Sequence, residues 1–207
     1  STLPPTYFKP AGVDALVDFI ARVCGCAPDL PYYYYHIPRM SGVSPDLVEF
    51  MQKACERVPR FHGIKFSDFF LADLTACLEF EDGRLDVLFG SDEMILGALA
   101  TGAKGAVGST YGVAAPLFAQ IIKTHGEGKL KDAQSWMAKA VRLIRMIDKE
   151  PGPYHSCVKQ VVWPLLGFEV GPCRVPQAIL SKEDVAQTQS RLEESGFAQE
   201  LTSGEFQ

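Results

Sequence analysis

The strongest constraint on this chain is a repeated alternation, in which a short β-like run ends in glycine or polar residues and a helix-like stretch follows. The runs are Tyr32-Tyr33-Tyr34-Tyr35-His36-Ile37-Pro38, Phe61-His62-Gly63-Ile64-Lys65-Phe66-Ser67, Phe89-Gly90-Ser91-Asp92-Glu93 and Gly105-Ala106-Val107-Gly108-Ser109-Thr110. Such a succession predicts parallel strands joined by right-handed helical crossovers. Each C-terminal strand edge then carries groups capable of chemistry. Barrels and open parallel sheets both place their sites at that edge.

Helical periodicity fills the intervals. Val13, Leu16, Val17, Phe19, Ile20 and Val23 form one apolar face. Ser44 and Pro45 form an expected helix entrance, capping hydroxyl followed by a residue with no donor to satisfy. The helix they open carries Leu47, Val48, Met51, Ala54, Cys55 and Val58, and Pro59 stops it. Further strands are expected at 62–66, 85–89 and 105–108, and helices at 70–80, 93–101 and around Leu117, Phe118, Ile121 and Ile122. After His125 the pattern is helical only, over 129–148, 154–166 and 182–195, with Pro151-Gly152-Pro153 interrupting the first two. The expected division is therefore a strand-bearing part, 1–125, and a helical extension, 126–207. Four strands are too few to close an eight-stranded cylinder. On the residues alone, an open α/β sheet and the C-terminal half of a (β/α)8 barrel both fit.

A chain of 207 residues that is 47% hydrophobic can bury a substantial core. A net charge of -5 without any Lys/Arg run offers nucleic acid no basic surface, so no nucleic-acid partner is expected. No stretch reaches the apolar length of a membrane span, so no membrane partner is expected either. The six cysteines are scattered, and Cys24-Gly25-Cys26 lacks a second pair or convergent histidines to complete a metal signature. Reduced thiols and no metal are the expectation.

Lys65 is the leading candidate for catalysis. Gly63 permits close packing, Ile64 and Phe66 suit a strand, and a lysine in such a run is costly to bury unless paired or used. An apolar surrounding favours the neutral amine, the form that attacks a carbonyl. The plain alternative is a strand-end lysine whose ammonium reaches solvent. Alternation puts Tyr33 and Tyr35 on one face of their strand and Tyr32 and Tyr34 on the other. Tyr35 lies nearest the functional edge, where its phenol can relay a proton or simply pack. His36 reads as a structural donor rather than a metal ligand. Asp92 and Glu93 can hold a polyhydroxylated substrate beside the open backbone of Gly90, or cap the helix that follows. Gly108-Ser109-Thr110 can bind an oxygenated ligand or make a turn, and it lacks the lysine of a P-loop.

Taken jointly, Tyr-His-Ile-Pro, Gly-Ile-Lys-Phe-Ser, Phe-Gly-Ser-Asp-Glu and Gly-Ala-Val-Gly-Ser-Thr resemble the N-acetylneuraminate lyase (sialic-acid aldolase) branch of the dihydrodipicolinate-synthase-like family. The resemblance covers nearly the whole chain. It implies a TIM barrel of which these strands form the second half, a helical extension, and a cytoplasmic homotetramer. It also implies cleavage of N-acetylneuraminate to N-acetylmannosamine and pyruvate through a lysine Schiff base, without a cofactor. Carried over by position, Lys65 is the Schiff-base residue and Tyr35 the phenol beside the imine. Ser67 lies by the reacting region; Gly90, Asp92, Glu93 and Ser109 hold the hydroxylated tail, and Gly108 shapes that wall. The family's first half-barrel carries a hydroxyl loop for the substrate carboxylate and a second relay tyrosine from a neighbouring subunit. A longer product with four further β-α units is therefore expected. Two alternatives accompany this expectation: a catalytically incomplete sugar-binding or assembly protein, and a pyruvate-dependent synthase of the same family. Arg39, directly after Pro38, is displaced from the position that the synthases use.

Overall fold

A computed structural model describes residues 1–148 and 153–206. The chain divides into two compact units, Ser1–Gly108 and Ser109–Gln207. Among the described residues the first unit holds every strand. Its elements are α1 (Val13–Gly25), β1 (Tyr32–His36), α2 (Pro38–Ser41), α3 (Leu47–Arg57), β2 (Phe61–Phe66), α4 (Leu71–Glu79), β3 (Asp86–Phe89), α5 (Ile95–Thr101) and β4 (Gly105–Ala106). All four strands are parallel, in the order β1-β2-β3-β4. The expected succession of parallel β-α units is thus present, and the four strands are half the complement of an eight-stranded barrel.

The two faces of the sheet differ in what covers them. Tyr34, Ile64, Phe66 and Phe89 share one face and are fully buried. Tyr34 packs its ring 4.5 Å from that of Phe50 in α3. The helices bring Leu16, Val17 and Ile20 of α1, Met51 and Ala54 of α3, Leu74 of α4 and Ile95 of α5 into the same core. Each large side chain buried in this way contributes about 1.5–3 kcal/mol. The opposite face carries Tyr33, Tyr35, Lys65, Asp86 and Leu88, none of them buried. Outside β1, Thr2 makes an isolated parallel bridge with Tyr34, and the Thr2 carbonyl accepts from the Tyr35 N–H at 3.0 Å.

Several boundaries depart from expectation. The cap of α3 is Asp46, whose carboxylate accepts from the Glu49 N–H at 2.9 Å, rather than Ser44 with Pro45 at the first helical position. The wall after β3 begins with a 3-10 turn, Asp92–Met94, before α5. The last strand is only two residues long.

The second unit contains α6 (Tyr111–Gly126), α7 (Leu130–Asp148), α8 (Tyr154–Cys157), α9 (Trp163–Leu165), α10 (Lys182–Glu194) and α11 (Phe197–Ser203). A π-helical turn, Val158–Val162, joins α8 to α9, so the expected helix over 154–166 is one helical stretch with a widened centre. Among the described residues no strand follows Gly108. Helix α6 breaks at Ala114, two residues before Pro116, which lacks the N–H that the ladder needs. In α7, Ala133, Ala140, Leu143 and Ile147 are buried, whereas Trp136 and Ile144 are half-buried. The coil before α10 is tied back by Ser156 donating to Ala178 O at 2.6 Å and by Gln160, which bonds both main-chain groups of Leu180. Ser181 and Asp184 then cap α10 reciprocally. Residues 149–152, including most of the expected Pro-Gly-Pro interruption, lie outside the described residues. The first compact unit ends at Gly108, and the second opens at Ser109 ahead of α6.

Candidate active site

Strand register arranges the open face in rows. Tyr33, Gly63 and Asp86 are aligned in one row, and Tyr35, Lys65, Leu88 and Gly105 in the next. The ladder continues past the strand ends. Ser67 N–H donates to His36 O, Gly90 N–H to Phe66 O and Val107 N–H to Phe89 O, each at 2.8 Å. Ser67 and Gly90 therefore form a third row at the C-terminal edge, two residues beyond Lys65 and Leu88.

Lys65 and Tyr35 are cross-strand partners, and they meet. The Lys65 ammonium nitrogen lies 4.1 Å from the centroid of the Tyr35 ring. Both residues are half-buried. A phenol ring under an amine holds the long lysine stem to one side of its strand. Gly90 makes room for this arrangement. A β-carbon there would stand 2.9 Å from Lys65 Cε and overlap the Ser67 hydroxyl, so both side chains lean over its bare backbone. Ser67 is buried, and its hydroxyl has no hydrogen-bond partner among the described residues. A buried hydroxyl beside an amine is a group that a polar substrate can satisfy.

Asp92 and Glu93 separate. Asp92 is buried, with its carboxylate packed so closely against Gly108 that a β-carbon at that glycine would overlap it. Glu93 is exposed. Neither Ser91 at the start of the 3-10 turn nor Met94 at the start of α5 caps with its own side chain. The first unit thus brings together Lys65, Tyr35, Ser67 and Gly90, and pairs Asp92 with Gly108. Ser109 is exposed and opens the second unit.

His36 lies on the helix-packed face, 1% exposed, with its ring 5.4 Å from that of Phe66. Burial pushes its pKa below the usual histidine value, and the Asp68 carboxylate, 3.8 Å away, opposes that shift. Arg39 is exposed and stacks its guanidinium 4.3 Å over the Phe69 ring. Among the described residues no group of three or more His, Cys, Asp or Glu side chains could hold a metal ion. One feature of the open face went unnoticed in the sequence: Tyr33 donates to the Asp86 carboxylate at 2.6 Å. Period-two alternation puts Asp86 on the same face as Leu88, which was the available signal.

The sequence and fold are similar to those of known proteins. The model of the dihydrodipicolinate synthetase family matches residues 1–195. N-acetylneuraminate lyase A of Xenopus laevis is 38% identical over 177 residues, covering 85% of this chain and 57% of that protein. The Rattus norvegicus N-acetylneuraminate lyase is 34% identical over 198 residues, covering 95% of this chain and 62% of its own length. The solved structure of N-acetylneuraminate lyase (sialic acid aldolase) from Aliivibrio salmonicida superposes with a TM-score of 0.86 at 36% identity, over 94% of this chain and 64% of that one. The chain thus spans less than two thirds of the length of these relatives. With the family model matched over nearly all of its length, and with parallel strands that superpose on solved members, the chain belongs to the dihydrodipicolinate synthetase family.

Proposed function

We propose that the protein containing this chain is a class I aldolase that cleaves N-acetylneuraminate to N-acetylmannosamine and pyruvate. The observation that carries this is the Lys65 amine held over the Tyr35 ring at the C-terminal strand edge, beside the unpartnered hydroxyl of Ser67. Lys65 attacks the C2 ketone of the open-chain sugar, water leaves, and an iminium forms. Tyr35 gives its proton to the departing water, and its phenolate then receives the C4 hydroxyl proton as the C3–C4 bond breaks. The C3–C4 pair becomes the C2=C3 double bond while the C=N π pair returns to the nitrogen, and the aldehyde sugar departs. Protonation of the enamine at C3 and hydrolysis then release pyruvate and restore the amine. No cofactor takes part, since the iminium is itself the electron sink.

Ser67, Gly90, Asp92, Glu93, Gly108 and Ser109 are assigned to the substrate. The buried Asp92 carboxylate is suited to accept from sugar hydroxyls, and Gly90 and Gly108 leave the backbone approachable. Arg39, exposed, stacked on Phe69 and displaced from the position that the synthases use, favours the lyase over a synthase. A homotetramer in the cytoplasm belongs to the same proposal, and six cysteines scattered along the chain as thiols suit a reducing compartment. No helix among the described residues is long and apolar enough to cross a membrane.

The incomplete-protein alternative rests on the four-stranded sheet with its open functional face. One experiment separates the two. The 207-residue chain and a version extended through the remaining β-α units are assayed for pyruvate release from N-acetylneuraminate, with sedimentation across dilution. Turnover by an extended tetramer supports the proposal. Sugar binding without turnover in both forms favours a binding protein, and turnover only with an aldehyde acceptor for pyruvate favours the synthase.

A further inference from the structure

One row beneath Lys65, the open face carries a hydrogen bond that spans three strands. Tyr33 on β1, Gly63 on β2 and Asp86 on β3 are in register. The Tyr33 hydroxyl reaches across the glycine to the Asp86 carboxylate at 2.6 Å. Gly63 is what lets it pass: a β-carbon there would overlap the Asp86 carbonyl oxygen and stand 3.0 Å from Tyr33 Cε1. The glycine therefore serves two close approaches at once, that of the neighbouring strand and that of the tyrosine ring. The next residues along the same three strands, on the same face, are Tyr35, Lys65 and Leu88.

We infer that the Tyr33–Asp86 pair is a positioning device for the Lys65–Tyr35 couple, a tie beneath the reacting amine that sets the spacing of β1 and β3 around β2. The physical reason is directional. Lys65 has no ion-pair partner among the described residues, and what stands beside its amine is the Tyr35 ring. A lysine guided by one ring depends on how far that ring's strand stands from its own. Two backbone ladders fix that spacing at the main chain, whereas the tie fixes it on the face where the side chains stand. A neutral phenol donating to a carboxylate is a strong, short contact. Burial and the Asp86 carboxylate raise the Tyr33 pKa to about 12, so the donor keeps its proton throughout the working range. Neither residue touches the reacting atoms in this assignment.

This inference rests on the Schiff-base reading of Lys65, and the test keeps the two apart. In the full-length protein, Tyr33→Phe, Asp86→Ala and Asp86→Asn are compared with the parent, together with the Tyr33→Phe/Asp86→Ala double variant. The readouts are kcat, KM, the rate at which pyruvate and borohydride trap Lys65, and Tm. Tyr33→Phe and Asp86→Ala should each lower kcat and the trapping rate by about tenfold, with KM for the sugar within about twofold. Asp86→Asn, which keeps an acceptor, should recover most of the loss, and the double variant should be no worse than either single one. Loss of Tm alone, with kcat and trapping unchanged, overturns the positioning role. So does a kcat loss in Tyr33→Phe that Asp86→Ala does not reproduce. Absence of any trapping in the parent overturns the Schiff-base reading instead.

Discussion

Replacing Gly90 with alanine probes a crowded point of the site beside Lys65. The position has no positive φ, so the backbone accepts a side chain and the effect is one of space. The new methyl would stand 2.9 Å from Lys65 Cε. Carbon atoms settle about 3.5–4.0 Å apart, so the lysine stem must withdraw by about 0.6–1.1 Å. The Ser67 hydroxyl, which the methyl would overlap, has to rotate away as well. Overpacking of this kind costs about 1–3 kcal/mol of stability. Its effect on catalysis is larger, because a misplacement of about 1 Å at a reacting group lowers rate about 100-fold. The prediction is thus a full-length Gly90→Ala protein that folds, melts a few degrees lower, and cleaves N-acetylneuraminate about 100 times more slowly. The assay pairs steady-state pyruvate release with thermal melting. A variant with parental kcat and KM would show that Lys65 does not need the space over Gly90, and the geometry of the site as built here would be refuted.

Tyr35→Phe keeps the ring beneath the amine and removes only the hydroxyl, so imine trapping should persist while sugar cleavage falls about 100- to 10,000-fold; equal cleavage by the variant would remove Tyr35 from the proton relay. Asp46→Ala deletes the cap of α3 and should cost about 1 kcal/mol in urea unfolding with kcat unchanged, whereas Ser44→Ala should cost little. The reverse ranking would return the cap to Ser44. For His36 the folded-state pKa is depressed, chiefly by burial, below the unfolded value of 6.5. The unfolded chain therefore binds the proton more readily, and stability that is complete above about pH 6.5 declines as pH falls toward the folded-state pKa. His36→Phe keeps a ring beside Phe66 and should lessen the drop in melting temperature between pH 7.5 and 5.5, whereas an undiminished drop would assign it to other groups.

The parallel β-α order, the strand faces and the edge residues were legible because they depend on period and local stops. Tyr32 and Tyr34 are buried while Tyr33 and Tyr35 stay open, as alternation requires. Lys65 meets Tyr35 because one register pairs them, and two strand runs ending in polar residues already implied that neighbourhood. What escaped depended on contacts distant in sequence or on close competition between similar signals. Ser44 and Asp46 are both capable caps, and only the observed path of the chain lets the Asp46 carboxylate reach Glu49 N–H. Asp92 and Glu93 look alike in sequence, yet the approach of Gly108 buries one and leaves the other exposed. The Tyr33–Asp86 bond links residues 53 apart across a glycine whose role no local pattern announces. Helix α11 follows directly on the turn at Gly196, so it merges in sequence with the end of α10.

The most direct measurement on the central claim is covalent. The full-length protein is incubated with pyruvate and borohydride, digested, and its peptides mapped by mass spectrometry. Lys65 as nucleophile predicts one reduced pyruvyl adduct, on Lys65, with loss of lyase activity in step with its formation. It also predicts that Lys65→Arg abolishes both adduct and turnover while leaving the melting temperature near that of the parent. An adduct on another lysine of an active protein, with Lys65 recovered unmodified, would contradict it.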